Sequence, residues 1–172
     1  MAGRKDILDQ LDFAVSRHIG REKVQHPGTF NANPVSAAAG TAALTVIAET
    51  DACERASRTA ASLRAALNEV LAEEGVAWSV YGTYSGFHTF LNPRGERPRV
   101  FDPAALTLAD LQAQSKALVN RLRLALLVHG VDVNARIGGF LSATHTTDDV
   151  AHTADAFRQA TRMLKQEGEL TD

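Results

Sequence analysis

The sequence predicts an α+β fold, with a small, mainly antiparallel sheet and helices packed on one face. Three patterns carry this reading. Long stretches repeat apolar residues at helical spacing. Between them lie short stretches of alternating or aromatic-rich residues that suit strands. Glycines such as Gly75 and Gly130 stand where those helices should end.

Taken in order, Asn33 is a good N-cap and Pro34 suits the first helical position, so a first helix runs from Pro34 to Glu49. Its side chains are mostly Ala, with Val46 and Ile47 near the far end, which allows close packing against another element. A second helix spans Ala52 to Glu73 and closes at Gly75. Ala56, Leu63, Leu67, Val70 and Leu71 form its buried stripe, and Arg55, Arg58 and Arg64 are expected toward solvent. Val76, Trp78 and Val80 alternate, and Gly82 to Leu91 is rich in aromatic residues, so strands are expected in both.

Asn92 to Pro103 holds Pro93, Pro98 and Pro103 with Arg94, Arg97 and Arg99, and reads as a solvated loop rather than an anion site. Thr107 and Asp110 begin a third helix, with Leu108, Leu111, Leu118, Leu122, Ala125 and Leu126 on one stripe and Gly130 at its end. Val131 to Val133 starts a strand, Gly138-Gly139 makes a turn, and Phe140 to Thr144 is a short strand. Thr146 or Thr147 caps a last helix that buries Val150, Ala154, Phe157 and Leu164.

Composition narrows the class. With 45% hydrophobic and 22% charged residues, the chain is globular rather than disordered. A net charge of −2 gives no basic footprint for nucleic acid or an anionic membrane. Cys53 is the sole cysteine, so an internal disulfide is excluded and a reducing compartment fits. No apolar run approaches the ~20 residues that span a bilayer. Arg4, Lys5 and Asp6 stand where a secretory signal would need an apolar segment, so a cytoplasmic location is expected.

The run from His26 to Pro34 is the richest in chemistry. A Gly28-Thr29 turn a few residues before an Asn-Pro helix start brings together turn amides, a hydroxyl and a helix N-terminus, all suited to a phosphate. The same residues also make an ordinary turn followed by a capped helix, and pattern alone favours that reading.

Gly28-Thr29-Phe30-x-x-Asn33-Pro34, followed by Ala38-Ala39-Gly40, resembles the block after the cofactor lysine in class III aminotransferases, pyridoxal-phosphate enzymes of fold type I. The glutamate-1-semialdehyde 2,1-aminomutase branch is the most similar. Ala2-Gly3-Arg4-Lys5-Asp6-Ile7-Leu8 is similar to the Gly-Gly-Arg-x-Asp-Ile segment after that lysine. Gly138 to Thr146, with Asp148-Asp149-Val150, resembles the family's last strand and final helix. The resemblance therefore covers nearly the whole chain and corresponds to the C-terminal part of such an enzyme.

It implies a C-terminal small domain preceded by a linking helix: residues 1–33 as a remnant of the large domain, 34–50 as the link, and 51–172 as the small domain. Ile7, Leu8, Leu11 and Val24 are then expected to be poorly covered in this chain alone. The implied cofactor is pyridoxal 5′-phosphate. In the family the glycine and threonine of this motif reach across a dimer interface to the phosphate of the neighbouring subunit's cofactor, and the matching positions are Gly28 and Thr29. Glycine permits close approach and threonine adds a hydroxyl donor. By this chain alone the binding should be weak or absent.

In the family the lysine that forms the Schiff base lies upstream of where this chain begins, as do the aspartate on the pyridinium nitrogen and the aromatic residue stacked on the ring. No catalytic residue is therefore assigned. Lys116 and Lys165 read as solvated helix residues, Lys5 follows the Gly-Arg that already lies after the catalytic position, and Lys23 sits between charges in a loop. His26 reads as an exposed loop residue, His88 as a strand-face residue and His145 as a capping or packing residue. No histidine pair with a carboxylate has zinc spacing, and Cys53 reads as a small helix residue.

One segment departs from the family. Where relatives carry Pro-Ser-x-Phe-Glu, this chain has Asn134-Ala135-Arg136-Ile137-Gly138, and Arg136 is no obvious replacement for a substrate-carboxylate grip. Aminomutation and ordinary transamination between an amino acid and a 2-oxo acid both stay open. The chain reads as the C-terminal lobe of an amino-group-transfer enzyme, silent by itself, working as a homodimer or with a large-domain partner that carries the lysine. The alternative is a non-catalytic dimerisation or interaction module of the same descent. A separate nucleotide-binding domain is disfavoured, because no Gly-rich loop follows a clear strand.

Overall fold

A computed structural model describes residues 3–28, 31, 33–93, 95 and 101–170. The chain divides into two compact units, Met1–Val46 and Ile47–Asp172.

The first unit opens with α1 (Lys5–Leu8), a 3-10 turn (Asp9–Leu11) and α2 (Phe13–His18), in a stretch for which the sequence analysis predicts no element. Asp12 caps α2 by accepting from the amides of Ala14 at 2.7 Å and Val15 at 3.2 Å. Gly20, in the left-handed region at φ 65°, ends it, and the Arg21 amide donates to the Ser16 carbonyl. Ile7 and Val24 are exposed, whereas Leu8 and Leu11 are half-buried. α3 occupies Pro34–Glu49, the predicted bounds, and its C-terminal end runs into the second unit. None of its residues is buried.

The second unit contains α4 (Ala52–Glu73), β1 (Ser79–Tyr81), β2 (Gly86–Phe90), a 3-10 turn (Pro103–Ala105), α5 (Leu108–Gln112), α6 (Lys116–Val128), β3 (Gly138–Phe140) and α7 (Thr147–Gln166). The strands form an antiparallel sheet in the order β1-β2-β3, with Val80 opposite Thr89 and Phe87 opposite Gly139. α7 packs on both α4 and α6. The core joins Leu63, Leu67 and Leu71 of α4 to Leu122 and Leu126 of α6, Phe157 and Leu164 of α7, and Trp78, Val80 and Phe87 from the sheet. Each large apolar side chain so buried contributes about 1.5–3 kcal/mol. The other face of the sheet carries a ring cluster: Tyr81 lies 5.7 Å from His88 and 5.5 Å from Phe101, and Phe90 lies 5.8 Å from Phe101. Burial raises the Tyr81 hydroxyl pKa above its ordinary value.

Helix ends follow local chemistry closely. The Val76 amide reaches the Leu71 carbonyl around Gly75, and the Val131 amide reaches the Leu126 carbonyl around Gly130. Thr146 and Asp149 exchange hydrogen bonds as a capping box at the start of α7.

Elsewhere the structure corrects the sequence reading. The stretch from Thr107 to Gly130 is two helices, because the chain breaks at Ala113–Ser115 and Ser115 caps α6 anew through the Leu118 amide. Leu108 and Leu111 lie on α5 and are exposed instead of continuing the α6 stripe. Val131–Val133 is not a strand, and the Val133 carbonyl accepts from Arg123 Nε at 3.2 Å. Ladder pairing begins at Ser79 and at Gly86, later than the sequence pattern suggests. Gly138 and Gly139 are not a turn; they form β3 with Phe140, whose ring is exposed, and the strand ends there instead of reaching Thr144. Arg64 is half-buried rather than solvated, donating through Nη1 to the Tyr84 carbonyl at 3.1 Å and the Gly86 carbonyl at 2.7 Å.

The β3 glycines have a packing cause. A Cβ on Gly138 would lie 2.5 Å from the Phe87 carbonyl oxygen and 2.8 Å from His88 Nδ1. Gly138→Ala should therefore destabilise the second unit by about 1–3 kcal/mol, in the range of overpacked cores. Urea unfolding followed at Trp78, which is buried in that unit, measures it.

Candidate functional site

The loop that carries the Gly-Thr pattern is exposed where it is described. Gly28 and His26 lie on it, Asn31 closes it, and Asn33 leads into α3; Thr29 lies outside the described residues. The Asn31 amide donates to the Gly28 carbonyl at 3.1 Å, and Asn31 Nδ2 donates to the His26 carbonyl at 3.2 Å. Gly28 does not have the positive φ that usually demands glycine. A Cβ there would sit 2.6–2.8 Å from the carboxamide of Asn31, an exposed side chain that can turn aside to admit it.

Asn33 Oδ1 accepts from the amides of Val35 at 2.9 Å and Ser36 at 3.1 Å, while Pro34 has no amide hydrogen. The first amides of α3 are thus occupied by its own cap. A phosphate at this loop would meet the helix as a dipole rather than through those two hydrogens. Gly28 is exposed and carries no side chain, and the His26 and Gly28 carbonyls are taken up by Asn31 instead of facing an anion.

The four lysines stand apart from any shared site. Lys5 Nζ holds Asp9 at 2.7 Å on an exposed helix face, and that hydrogen bond raises its pKa, the opposite of what an amine nucleophile requires. Lys165 Nζ donates to the Glu74 carbonyl at 2.5 Å, where it ties α7 to the end of α4. Lys116 is exposed at the start of α6, and Lys23 is half-buried beyond α2.

In the second unit a cleft of about 280 Å³ opens beside β3, between Phe87, Val131, Gly138, His145, Asp149 and His152. His145 Nδ1 accepts from the Ser142 amide at 3.0 Å, with Ser142 Oγ at 3.1 Å. That nitrogen is already in use, so the Ser–His contact does not make an activated nucleophile. His145 serves the turn before α7, as a capping residue does. Among the described residues no cluster of His, Cys, Asp or Glu could hold a metal ion. Cys53 lies exposed on α4, and His88 lies on β2. Arg94, Arg97 and Arg99 fall outside the described residues.

Asn31 and Arg64 escaped the sequence reading. No family model matches the chain. The chain is 32% identical over 148 residues to a glutamate-1-semialdehyde 2,1-aminomutase from Methanopyrus kandleri, covering 85% of this chain and 32% of that protein. An omega-transaminase from Sphaerobacter thermophilus superposes with a TM-score of 0.68 at 29% identity, over 94% of this chain and 34% of its own. A transaminase with PLP bound superposes at 0.72 with 26% identity, over 98% of this chain and 35% of its own. The chain thus spans about a third of the length of the relatives it matches. No helix among the described residues is long and apolar enough to cross a membrane.

Hydrogen bonds from the Thr146 amide and hydroxyl hold the Asp149 carboxyl pKa below its usual value. A depressed carboxylate stabilises the fold above its unfolded pKa, and the contribution is lost as pH falls through the folded value. Asp149→Asn should therefore flatten the acid limb of the stability–pH curve while leaving its shape near neutrality unchanged. Thermal melts of both proteins in a pH series check this.

Proposed function

Because this chain matches the C-terminal part of class III, fold type I pyridoxal-phosphate-dependent aminotransferases, with aminomutases and transaminases among its relatives, we propose that it is the C-terminal lobe of an amino-group-transfer enzyme. One observation supports this most strongly: likeness in both sequence and structure runs along nearly all of this chain, yet takes up about a third of each relative. Residues 1–33 belong with a large domain, 34–50 link, and 51–172 form the small domain.

In this reading Gly28 and Thr29 hold the cofactor phosphate of a neighbouring subunit. Bound pyridoxal phosphate supplies an electron sink for amino-group chemistry. The role of this chain is to place donors on the phosphate and to close one side of the site. The lysine that carries the cofactor comes from other polypeptide, since Lys5, Lys23, Lys116 and Lys165 are spread over exposed or structural positions. The reaction is aminomutation or transamination, with an amino acid or oxo acid as substrate, in the cytoplasm.

Incubating the 172-residue chain with pyridoxal phosphate, reducing with borohydride and weighing the intact protein tests the lysine assignment. The expected spectrum has no single lysine carrying one equivalent of cofactor. Stoichiometric labelling at one site would contradict it. In the assembled enzyme, Thr29→Ala should weaken cofactor retention by about 1.5–3 kcal/mol, the range for a hydrogen bond to a charged group. Equilibrium dialysis reads this directly, and unchanged retention removes Thr29 from the site.

A further inference from the structure

The turn that joins β3 to α7 is closed by Ser142 and His145, which hold each other twice. The His145 amide donates to the Ser142 carbonyl at 3.3 Å, and the Ser142 amide donates to His145 Nδ1 at 3.0 Å. A main-chain amide donates and does not accept, so the second bond fixes the imidazole as its neutral tautomer with the proton on Nε2. The next residue, Thr146, caps α7, which places the ring at the positive end of a 20-residue helix.

Protonation reverses this contact. The added proton goes to Nδ1, where its N–H would face the N–H of Ser142 across 3.0 Å. The Ser142 hydroxyl, 3.1 Å from that nitrogen, can turn to accept the new proton, but the Ser142 amide is left to water. The start of α7 does not share this fate, because Thr146 and Asp149 hold it through their own exchange of bonds.

His145 also forms part of the wall of the cleft beside β3. The titratable side chains that share the cleft are Asp132 from the segment after α6, and Asp149 and His152 from α7. α4, β2 and β3 face it with Leu63, Phe87 and Gly138 to Phe140, none of which titrates. Asp132 and Asp149 favour a charged ring, whereas the helix end and a charged His152 oppose it. Thr146 holds the Asp149 carboxyl below the usual carboxylate range, so Asp149 stays ionised while imidazoles change charge between about pH 8 and 5.

We infer that His145 and Ser142 form a pH-sensitive latch on this cleft: the neutral ring holds the turn closed, and the protonated ring releases the Ser142 amide while α7 stays capped. NMR of the 172-residue chain across that pH range tests it. Ring-nitrogen shifts should show the Nε2–H tautomer at the upper end. The Ser142 amide shift should follow the titration curve of the His145 ring. Its hydrogen exchange, corrected for the intrinsic effect of pH, should quicken by roughly two- to ten-fold, the scale of one hydrogen bond. The Asp149 amide should keep its protection.

His145→Asn offers an Oδ1 where Nδ1 accepts but does not titrate, so Ser142 protection should stay level across the range. In His145→Ala that protection should be lost at every pH. An Nδ1–H tautomer at the upper end, or a Ser142 amide that does not follow the ring, would overturn the latch. So would a Ser142 amide that loses protection in His145→Asn as it does in the natural chain, or that keeps it in His145→Ala.

Discussion

The second unit depends on α4 being read on two sides at once. Its apolar stripe of Ala60, Leu63, Leu67 and Leu71 enters the core. One position round the helix, Arg64 and Asn68 turn their polar ends to the sheet. Asn68 Nδ2 donates to the Val80 carbonyl at 2.7 Å and Oδ1 accepts from the Val80 amide at 3.0 Å. The carboxamide thereby pairs with the outer edge of β1 as a neighbouring strand would, which blunts an edge otherwise open to another chain. Arg64 takes the carbonyl of Tyr84, in the turn that joins β1 to β2, and that of Gly86, the first residue of β2. Tyr84 is held there at φ 48°, a conformation that side chains other than Gly, Asn and Asp seldom adopt. With these bonds the hairpin is fixed in place against α4, and β3 pairs on the far side of β2.

What could be read from sequence is what local chemistry decides. Asn33, Thr146, Gly75 and Gly130 act within three to five residues of themselves, and all four end or begin helices as their types demand. Apart from α1, the 3-10 turn and α2, which the sequence reading passed over, the failures are long-range. Gly138-Gly139 has the composition of a turn, but its glycines are there to clear Phe87 and His88 on the adjacent strand. Val131 and Val133 have strand propensity, yet the Val133 carbonyl goes to Arg123 of α6. Arg64 looked like any solvent-facing arginine because its partners lie 20 and 22 residues away. The break before α6 is of the same kind, since Gln114 leaves the helix to accept from the Leu91 amide at the end of β2.

The candidate site rests on resemblance and not on local chemistry. Gly28 and Thr29 stood out by resemblance; Gly28 is exposed, and Thr29 lies outside the described residues. As the cap read from the sequence requires, Asn33 uses the leading amides of α3 for itself, which removes them as direct phosphate donors. Asn31 controls the loop through a side-chain bond to His26 that no spacing rule specifies. The two units also differ in self-sufficiency. The second has a continuous core of its own. In the first, Ile7, Phe13, Ile19, Val24, Val35 and Leu44 are exposed.

The central claim is that this chain completes a cofactor site whose lysine it does not itself provide. Native mass spectrometry of the protein isolated from its own cells tests this most directly. The account predicts a particle that holds polypeptide beyond these 172 residues, together with pyridoxal phosphate attached to a lysine outside them. An assembly built solely of 18.5 kDa chains and free of pyridoxal phosphate would contradict it.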